Sequence, residues 1–489
     1  MGRVMFGRKK IFTDVRTVTP DNVYHILQKA MAVHVRNRDE IEYLYDVYCG
    51  KQDILDRKKK YRPEVCNKIV ENHANEIVTF KVGYLMFEPV QYVNRGDDKA
   101  DADAINTLTD YMFLEGKAKK DKELADWMHI CGTAFRLALP DPNAPEDEAP
   151  FNLYTLDPRN TFVVYWSGLG NPPVLGVRYV KLENGSMVFT AYSDRWKFDI
   201  AISRDYISPL PPAMPPETKI RAERHLYGDV PIVEYPANEA RLGAFEIVLP
   251  LLDAINQVES NRLDGVEQFI DALLVLKGVD LKSEEYEALK AKGGLKLPAD
   301  GDAYYIAQEL NQTQTQTLID DMYQQVLVIC GMPNRNGSKS TSDTGKAVIM
   351  RDGWSDAEAR AKNTEDMFKA AERLFLRIVL GYAEKSRDFK LRASRIDVRL
   401  PRRNYENVQT KAQVLATMLS NDKIAPHLAY LHCGLFVDPE QAYKESMEYY
   451  DQVKAEEQQA LKDFAENETA KAKAKAEAEA ETESGKAAP

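Results

Sequence analysis

The sequence predicts an α+β fold in which helices predominate. Three stretches, residues 21–48, 67–87 and 245–277, carry apolar residues at intervals of three and four, the spacing of one helix face. Between residues 135 and 200, apolar and polar residues instead alternate in short runs separated by Pro, Gly and Asn-Gly, which is typical of antiparallel strands. With 489 residues, 44% of them hydrophobic, the chain is long enough for about two to four structural units.

Charge and cysteine content exclude several classes of protein. The chain has 65 Lys and Arg against 76 Asp and Glu, a formal net charge of −11, which argues against a regulator that grips DNA phosphates tightly. The five cysteines are scattered singly, as in reduced cytosolic proteins. No stretch reaches the roughly 18 apolar residues of a membrane helix, and the N-terminus lacks the apolar core of a signal peptide. We therefore expect a soluble, unexported protein with no membrane partner.

The first half of the chain combines helices with a small sheet. Residues 21–48 predict two helices and 67–87 a third, and a helical pattern resumes over 102–130. His73 lies on the apolar face of the third helix with no His or Cys four residues away, so we expect a hydrogen-bonded core histidine rather than a metal ligand. The alternating runs span residues 135–139, 151–156, 161–165, 174–180, 187–192 and 196–200. Asn184-Gly185 predicts a tight two-residue hairpin turn, and the proline-rich run 208–216 predicts a surface loop.

The second half is mostly helical. Residues 245–277 predict a rod of roughly 50 Å, with Pro250 either kinking it or marking its start. After Gly331 a polar stretch almost without apolar side chains predicts a solvated loop. Further helices are predicted over 283–292, 315–330, 346–385 with a break around Gly353, 406–419, 424–432 and 439–449, and strands over 303–306 and 395–400. The charged Ala/Glu/Lys tail after Lys454 is expected to be a solvated helix or disordered.

Residues Gly345 and Lys346 suggest a phosphate-binding loop, because they follow a Gly/Ser/Thr-rich stretch and open a predicted helix. The pattern GxxxxGK[ST] nevertheless needs a glycine where Ser340 stands and a Mg²⁺-binding hydroxyl where Ala347 stands. An ATP-driven nucleic-acid enzyme built on this loop is the alternative hypothesis, and a helical scaffold without a DNA role is a third. The leading hypothesis is a protein that is not an enzyme.

Metal sites are not expected either. The acidic run from Asp97 to Asp103 lacks the glycine at its sixth position that a calcium loop needs for its sharp turn. His427, His432 and Cys433 form a cluster in which the two histidines, five residues apart on a helix, point in different directions. We therefore expect no catalytic residue, no metal and no cofactor.

Several strings of this sequence carry a resemblance to a known family. They are YCGKQDILDR (48–57), KIVENHANEIVTFKVGYLMFEPV (68–90), DPRNTFVVY (157–165), VEYPANEARLGAFE (233–246), NRLDGVEQFIDALLVLKG (261–278) and LFVDPEQAYKE (435–445). In combination and in this order, over roughly residues 20–450, they resemble the portal (head-to-tail connector) proteins of tailed bacteriophages.

The resemblance implies a ring of twelve subunits at one capsid vertex, through which double-stranded DNA is packaged and ejected. It implies a portal-type subunit with wing, stem, clip and crown around a central channel. The corresponding ranges are an N-terminal arm (1–19), wing (20–242), first stem helix (243–278), clip (279–312), second stem helix (313–332), tunnel loop (333–345), long kinked helix and return strand (346–401), crown (402–453) and charged tail (454–489).

The resemblance also implies site residues. The DNA-facing tunnel loop would comprise Asn334, Arg335, Asn336, Gly337, Ser338, Lys339, Ser340, Thr341 and Ser342. Independently of the resemblance, the glycine at the predicted helix break, followed by Trp354, makes Gly353 a candidate hinge that lets the long helix bend. Four charged clip residues are candidates for docking the packaging motor and the tail adaptors: Glu284, Glu285, Lys290 and Lys292.

The partners that the resemblance implies are further copies of the chain, in a homo-dodecamer, and DNA passing without sequence preference. It also implies the terminase large subunit, a head-completion or adaptor protein, and the major capsid and scaffolding proteins. The expected location is the portal vertex of the virion, after synthesis in the cytoplasm of a bacterial host.

Overall fold

The structure, a computed structural model, describes most of the chain. The described residues are 7–95, 99–203, 210–211, 213–225, 227–270, 273–277, 302–306, 312–334, 353–387, 389–402, 408–436 and 439–484. The chain divides into two compact units, residues 1–403 and 404–489. Helices account for 53% of the residues and strands for 17%, which agrees with the predicted mainly helical α+β class.

Ten α-helices and thirteen strands lie within the described residues. The helices are α1 (Val23–Tyr48), α2 (His73–Leu85), α3 (Lys99–Leu114), α4 (Lys117–Cys131), α5 (Leu249–Ile270), α6 (Gln312–Cys330), α7 (Trp354–Arg387), α8 (Val408–Leu419), α9 (Pro426–Cys433) and α10 (Pro439–Ser484). The strands are β1 (Ile11–Thr13), β2 (Gln91–Asn94), β3 (Thr133–Pro140), β4 (Phe151–Leu156), β5 (Thr161–Trp166), β6 (Pro173–Lys181), β7 (Met187–Tyr192), β8 (Trp196–Ile202), β9 (Lys219–Arg224), β10 (Ile232–Pro236), β11 (Leu273–Lys277), β12 (Asp302–Ile306) and β13 (Ile396–Arg399).

A six-stranded sheet with the order β1-β5-β6-β7-β8-β9 packs against α1. Strand β1 runs parallel to β5, and the other neighbours are antiparallel. Ile26 and Leu27 of the helix share one buried cluster with Phe189 and Phe198 of the sheet. Because side chains alternate across a strand, one face of this sheet supplies the core and the other stays more exposed.

The main core of the first unit joins a three-stranded sheet, β10-β3-β4, to the helices α2, α4, α5, α6 and α7. Phe368 and Phe375 of α7 are completely buried in it, together with Tyr235 of β10. Strand β13, which follows α7, pairs antiparallel with β2. This pairing holds the chain after α7 against the strand that follows α2. Helix α7 is therefore built into the centre of the unit.

The second unit contains α8, α9 and α10. Ala429 and Cys433 of α9 are buried, and Lys411 of α8 donates to the carbonyl of Gly434 at 2.7 Å. This contact closes the C-terminal end of α9, where a cation is favoured. Along α10 the side chains from Glu456 to Lys473 are exposed, which confirms the solvated helix among the two expectations for the tail.

Two helix predictions in the first unit were wrong in their boundaries. Residues 23–48 form one helix rather than two, and buried Asn37 within it exchanges hydrogen bonds with the backbone of Lys9 (2.9 and 2.8 Å). The helix predicted over 67–87 begins at His73 and ends at Leu85. The helical patterns over 102–130 are confirmed as two helices, α3 and α4, separated at Gly116, which has φ +60°.

The hairpin at residues 181–187 is confirmed, but its turn is not the predicted two-residue type. The N–H of Gly185 donates to the carbonyl of Leu182 at 2.9 Å, and the N–H of Leu182 donates to the carbonyl of Ser186 at 2.8 Å. Only Gly185 has a positive φ, of +84°. This arrangement is a three-residue loop, in which one left-handed glycine follows an ordinary turn.

The long rod predicted over 245–277 was also wrong. A short 3₁₀ turn (Glu246–Val248) precedes α5, which begins at Leu249 so that Pro250 marks its start, and Leu273–Lys277 forms strand β11 paired with β12. The hydrophobic run 273–277 (LLVLK) shows neither a helical nor an alternating pattern, so its apolar residues fit a helix or a buried strand equally well. At 22 residues, α5 spans about 33 Å.

Apart from the helix predicted over 439–449, which continues as α10 to Ser484, the remaining strand and helix predictions on described residues were confirmed to within a few residues, but β1, β2, β9 and β10 were not predicted. Each of these four strands is short or polar, with no more than six residues. The helix predicted over 283–292 lies outside the described residues, as do 346–352 and residues 208, 209 and 212 of the proline-rich run.

Candidate functional site

Helices α5 and α6 form an antiparallel pair. Arg262, near the end of α5, donates to the side-chain oxygens of Gln312 and Gln316 at the beginning of α6, at 2.6 and 2.7 Å. At the opposite end of the pair, Cys330 Sγ lies 3.7 Å from the carbonyl oxygen of Ala244. Between these ends the helices bury Ile255 and Val326 in the main core. The pair corresponds to the two predicted stem helices.

A segment outside the helices and strands, residues 57–72, lies along α5 on another side, and we call it the strap. The strap bends and turns over residues 60–65. Its alternate backbone N–H groups donate to side chains four residues apart on the helix. The distances are 2.7 Å from Asn67 N to Asp264 Oδ1, 2.9 Å from Ile69 N to Ser260 Oγ and 2.8 Å from Glu71 N to Asn256 Oδ1. Two extended residues rise about 6.6 Å and four helical residues about 6.0 Å, so the two repeats stay in register over three contacts.

The strap is also held by charge. Asp264, 2% exposed, forms ion pairs with Arg57 (3.0 Å) and Lys59 (2.9 Å). Burial raises the pKa of this carboxyl, but the hydrogen bonds from Asn67 and Lys59 and the nearby Arg57 outweigh burial and lower the pKa below its usual value. Asp264 is therefore ionised and anchors the basic part of the strap.

The C-terminal end of α6 is closed by three separate devices. Gly331 takes φ +62°, and the N–H groups of Gly331 and Met332 donate back to the carbonyls of Val328 (3.1 Å) and Leu327 (2.8 Å), a Schellman motif. Lys81 Nζ donates to the carbonyl of Cys330 at 2.8 Å, and burial lowers the pKa of this lysine.

Arg360 of α7 is the third device, since it donates to the carbonyl of Ile329 at 2.6 Å. Two cations thus meet the negative end of the α6 dipole. We call this region the loop anchor: residues 327–334 and 353–360 together with Lys81.

The two chain segments of the loop anchor, residues 327–334 and 353–360, meet at Gly353. This residue takes φ +81°, and a Cβ built on it would lie 3.7 Å from the carbonyl oxygen of Met332 and 3.8 Å from Cα of Pro333. Residues 334 and 353 therefore mark the start and end of a chain excursion that leaves and returns at one place. A positive φ does not occur inside an α-helix, and α7 begins only after Gly353, whereas the predicted helical residues 346–352 lie outside the described residues.

The loop anchor is fastened to α2 and to the segment after β13. Trp354 packs near Phe80 and Tyr84 of α2, with ring centroids 6.1 Å apart in both pairs. Tyr84 donates to Glu358 at 2.8 Å, and Arg402 forms an ion pair with Glu358 at 2.6 Å. These contacts hold the first turns of α7 in place.

A buried ionic cluster holds the middle of α7. Glu372, which is completely buried, accepts hydrogen bonds from the hydroxyls of Tyr92 (2.6 Å) and Tyr235 (2.7 Å). It also lies 2.9 Å from Lys117 Nζ and 3.5 Å from Arg136 Nη1. Burial, followed by the charge of Glu372, raises the pKa of both tyrosines well above the ordinary value.

Asp121 completes this cluster, with Lys117 Nζ at 2.7 Å and Arg136 as its second cation. Burial raises the pKa of Asp121, but the two cations outweigh it and lower the pKa. Two carboxylates thus face two cations, so the charges balance and no group is left to act as an acid or base. The cluster is a structural element.

Sequence reasoning missed both the strap contacts and this cluster. The signal for the strap was a polar stripe, Asn256, Ser260 and Asp264, at intervals of four on an otherwise apolar helix. No comparable signal marks the cluster, because its members come from α4, β3 and α7.

The predicted site residues are described only in part. Asn334 is half-buried at the end of the loop anchor, and Gly353 lies at its other side. Arg335 to Ser342, the clip residues Glu284, Glu285, Lys290 and Lys292, and Gly345-Lys346 all lie outside the described residues. The hinge and docking roles stay predictions.

The histidine expectations can be compared directly. His73 is not a core residue: it begins α2, its side chain is 18% exposed, and it lies between Glu71 (2.9 Å) and Glu76 (3.0 Å).

Among the residues that the structure describes, no cluster of His, Cys, Asp and Glu is arranged to hold a metal ion. Within the same ranges, no helix is both long and apolar enough to span a membrane.

Two solved structures are similar in part. One is described as the neck of an empty GTA particle computed with C6 symmetry, with 13% identity and a TM-score of 0.43 over 74% of this chain and 90% of that chain. The other is the virion of a native gene transfer agent (GTA) particle, with 12% identity and a TM-score of 0.38 over 74% and 89%. No curated protein matches this sequence.

The assignment rests on a family match. The model of the family described as "Phage portal protein, SPP1 Gp6-like" matches residues 27–463, a range that contains both predicted stem helices, the strap and the loop anchor. This range also covers nearly all of the segment over which the sequence strings show their resemblance. The chain therefore belongs to the SPP1 Gp6-like family of phage portal proteins.

Proposed function

We propose that this portal protein forms a ring of twelve copies at one capsid vertex, and that double-stranded DNA enters and leaves the capsid through the ring. The family match over residues 27–463 is the observation that carries the proposal. The antiparallel pair of α5 and α6 supports it, because paired helices of this kind can line a channel side by side. The location follows: the portal vertex of the virion, after synthesis in the cytoplasm of a bacterial host.

The dimensions of such a ring suit a duplex. Twelve helices packed side by side at roughly 9 to 10 Å form a circle about 37 Å across between axes, and subtracting one helix width leaves roughly 25 to 28 Å. This opening clears a duplex without gripping it. An acidic chain, with a net charge of −11, also favours loose contact with phosphates.

Within this ring residues 333–345 supply the tunnel loop, which lies in the chain excursion between the two ends of the loop anchor. Its polar residues offer many weak hydrogen bonds and few charges, so contact with DNA is independent of sequence. The loop anchor fixes both ends of this segment to α6 and α7. Gly353, the left-handed residue at one of these ends, is the proposed hinge.

The partners follow from the position of each segment. We assign residues 279–312 to the clip, which docks the terminase large subunit and later an adaptor protein through Glu284, Glu285, Lys290 and Lys292. The wing (20–242) and crown (402–453) face the major capsid and scaffolding proteins. Energy for DNA movement comes from the terminase motor, so the portal itself is a structural protein.

Native mass spectrometry and negative-stain electron microscopy of the purified protein test the proposal. We expect a closed ring of about twelve copies with a central hole wide enough for a duplex. A protein that stays monomeric or dimeric under all assembly conditions would contradict it. Saturable ATP binding that disappears in Lys346→Ala would favour the alternative, an ATP-driven enzyme.

A further inference from the structure

Helix α5 separates two different outer surfaces of the subunit. Asn256, Ser260 and Asp264 face the strap, whereas Arg262, about 200° further around the helix axis than Ser260, faces α6. The strap and α6 therefore lie on opposite sides of α5. A closed ring of identical subunits is built from two different complementary surfaces on each copy.

The strap surface is basic. Residues 57–68 contain six basic side chains and one acidic side chain, Glu64: the basic ones are Arg57, Lys58, Lys59, Lys60, Arg62 and Lys68. Arg57 and Lys59 are engaged by Asp264. Lys58 and Lys60 are exposed and form no ion pair within the described part of the chain. Between them and Arg62 stands Tyr61, which is 87% exposed.

The outer surface of α6 has the opposite charge. The helix contains no Lys or Arg, and its two charged residues, Asp320 and Asp321, are both exposed. Asp321 lies on the outer side, and Asp320 lies at the flank, where it accepts a hydrogen bond from Gln316 at 2.8 Å. Val328 (67% exposed) adds an apolar contact surface on the same outer side as Asp321. Ile319 and Val326 turn the other way, into the core.

We propose that the strap of one copy docks on the outer surface of α6 of the next copy, with Lys58 and Lys60 facing Asp320 and Asp321. The inference rests on the proposed ring and names the surfaces that close it. Opposite charge and opposite position across α5 favour a second copy over DNA. Only three of the six strap cations, Lys58, Lys60 and Lys68, are exposed and form no ion pair within the described residues, whereas tight DNA binding needs many free cations.

Charge reversal with rescue tests this contact on the full-length protein. We expect Lys58→Glu with Lys60→Glu to raise the concentration for half-maximal ring assembly about tenfold or more at low salt, and Asp320→Lys with Asp321→Lys to do the same. Combining all four substitutions should restore assembly to within about threefold of the unmodified protein, because the facing charges are then exchanged. Native mass spectrometry gives the fraction of rings.

Arg195→Glu with Arg221→Glu is the matched control, since these side chains are 76% and 77% exposed and the charge change is the same. Reversals without effect, a quadruple variant that stays disassembled, or an equally impaired control would each overturn the inference while leaving the ring itself intact. Absence of a ring in the unmodified protein would instead contradict the proposed function. A strap variant that keeps the ring but no longer binds a short DNA duplex would reassign the strap to nucleic acid.

Discussion

Asp264 accepts two hydrogen bonds from Asn67, one from the backbone N–H at 2.7 Å and one from the side-chain amide at 3.0 Å. One carboxylate thus fixes both the path of the strap and the position of a side chain in it. The same carboxylate neutralises Arg57 and Lys59. The attachment of the strap to α5 therefore depends on very few groups.

Removing one of these groups should release the strap. We expect Ser260→Ala to lower the free energy of unfolding by about 1–3 kcal/mol, because the N–H of Ile69 loses its acceptor. Asp264→Ala should also speed trypsin cleavage between Arg57 and Arg62. Gln257→Ala, at an exposed position of the same helix, is the control and should change neither stability nor cleavage. Equal cleavage rates for all three variants would contradict the role of the contacts.

The buried ionic cluster should be intolerant of losing one charge. Glu372→Gln leaves Lys117 and Arg136 with one buried carboxylate between them, so we expect a loss of about 3–5 kcal/mol in the free energy of unfolding. Asp366→Asn, on an exposed position of the same helix, should change it by less than about 0.5 kcal/mol. Chemical denaturation measures both, and similar values would show that the cluster does not hold α7.

Gly353 and Gly381 should respond in opposite directions to the same substitution. Gly353→Ala places a side chain on a residue at φ +81°, with an expected cost of about 1–2 kcal/mol. Gly381→Ala, inside α7 with no atom within 4 Å of the added Cβ, should stabilise by about 0.5–1 kcal/mol.

The hinge hypothesis makes a separate prediction for these variants. Gly353→Ala should leave ring assembly intact and reduce DNA packaging, and Gly353→Asn should retain more packaging because asparagine tolerates a left-handed backbone. Packaging is measured as the DNA protected from nuclease inside assembled heads. Unchanged packaging in Gly353→Ala would reject the hinge.

Stability should fall as the solution becomes acidic, well before carboxylates titrate. Burial lowers the pKa of His129 to about 4 and that of His34 to about 3. The unfolded chain binds protons at these positions below pH 6.5, so their contribution is present above pH 6.5 and is lost as the pH falls towards 4 and 3. For His129 the loss by pH 4 is on the order of 3 kcal/mol.

His73 acts with the opposite sign. Burial lowers its pKa, but the hydrogen bonds that the ring donates to Glu76 and Glu71 outweigh burial and raise the pKa above 6.5. Its contribution is therefore present below pH 6.5 and is lost as the pH rises through the raised value.

Thermal denaturation between pH 4 and 8 tests the prediction for His129. We expect the stability of His129→Gln to fall less steeply towards pH 4 than that of the unmodified protein, whereas an equal fall would contradict the role of His129.

Comparing the sequence predictions with the structure shows which elements follow from the local pattern of apolar and polar residues. The strands between residues 135 and 200 were predicted because burial on one sheet face forces alternation. Asn37 misled the prediction of α1, since a polar residue inside a helical pattern resembles a break unless its buried partner, Lys9, is known. The strap was missed because Ile69 and Val70 also fit a helical spacing, and only their contacts with α5 make the segment extended.

The buried cluster was beyond the reach of sequence reasoning for a different reason. Lys117 and Asp121, four residues apart on α4, have the spacing of an ordinary surface ion pair. Their burial depends on Arg136 and on Glu372, which lies far along the chain. The family was nevertheless recognisable, because the strings that carry the resemblance are typical of the family and do not depend on this packing.

The meeting of Pro333 and Gly353 has a consequence for how the sequence can change over time. Since the chain departs from and returns to one point, residues added or removed between 334 and 353 need not move α6 or α7. A longer connection between two fixed points costs only about 0.6 kcal/mol in closure entropy for each doubling of its length. Selection can therefore lengthen, shorten or replace this segment, while the rest of the subunit keeps its structure.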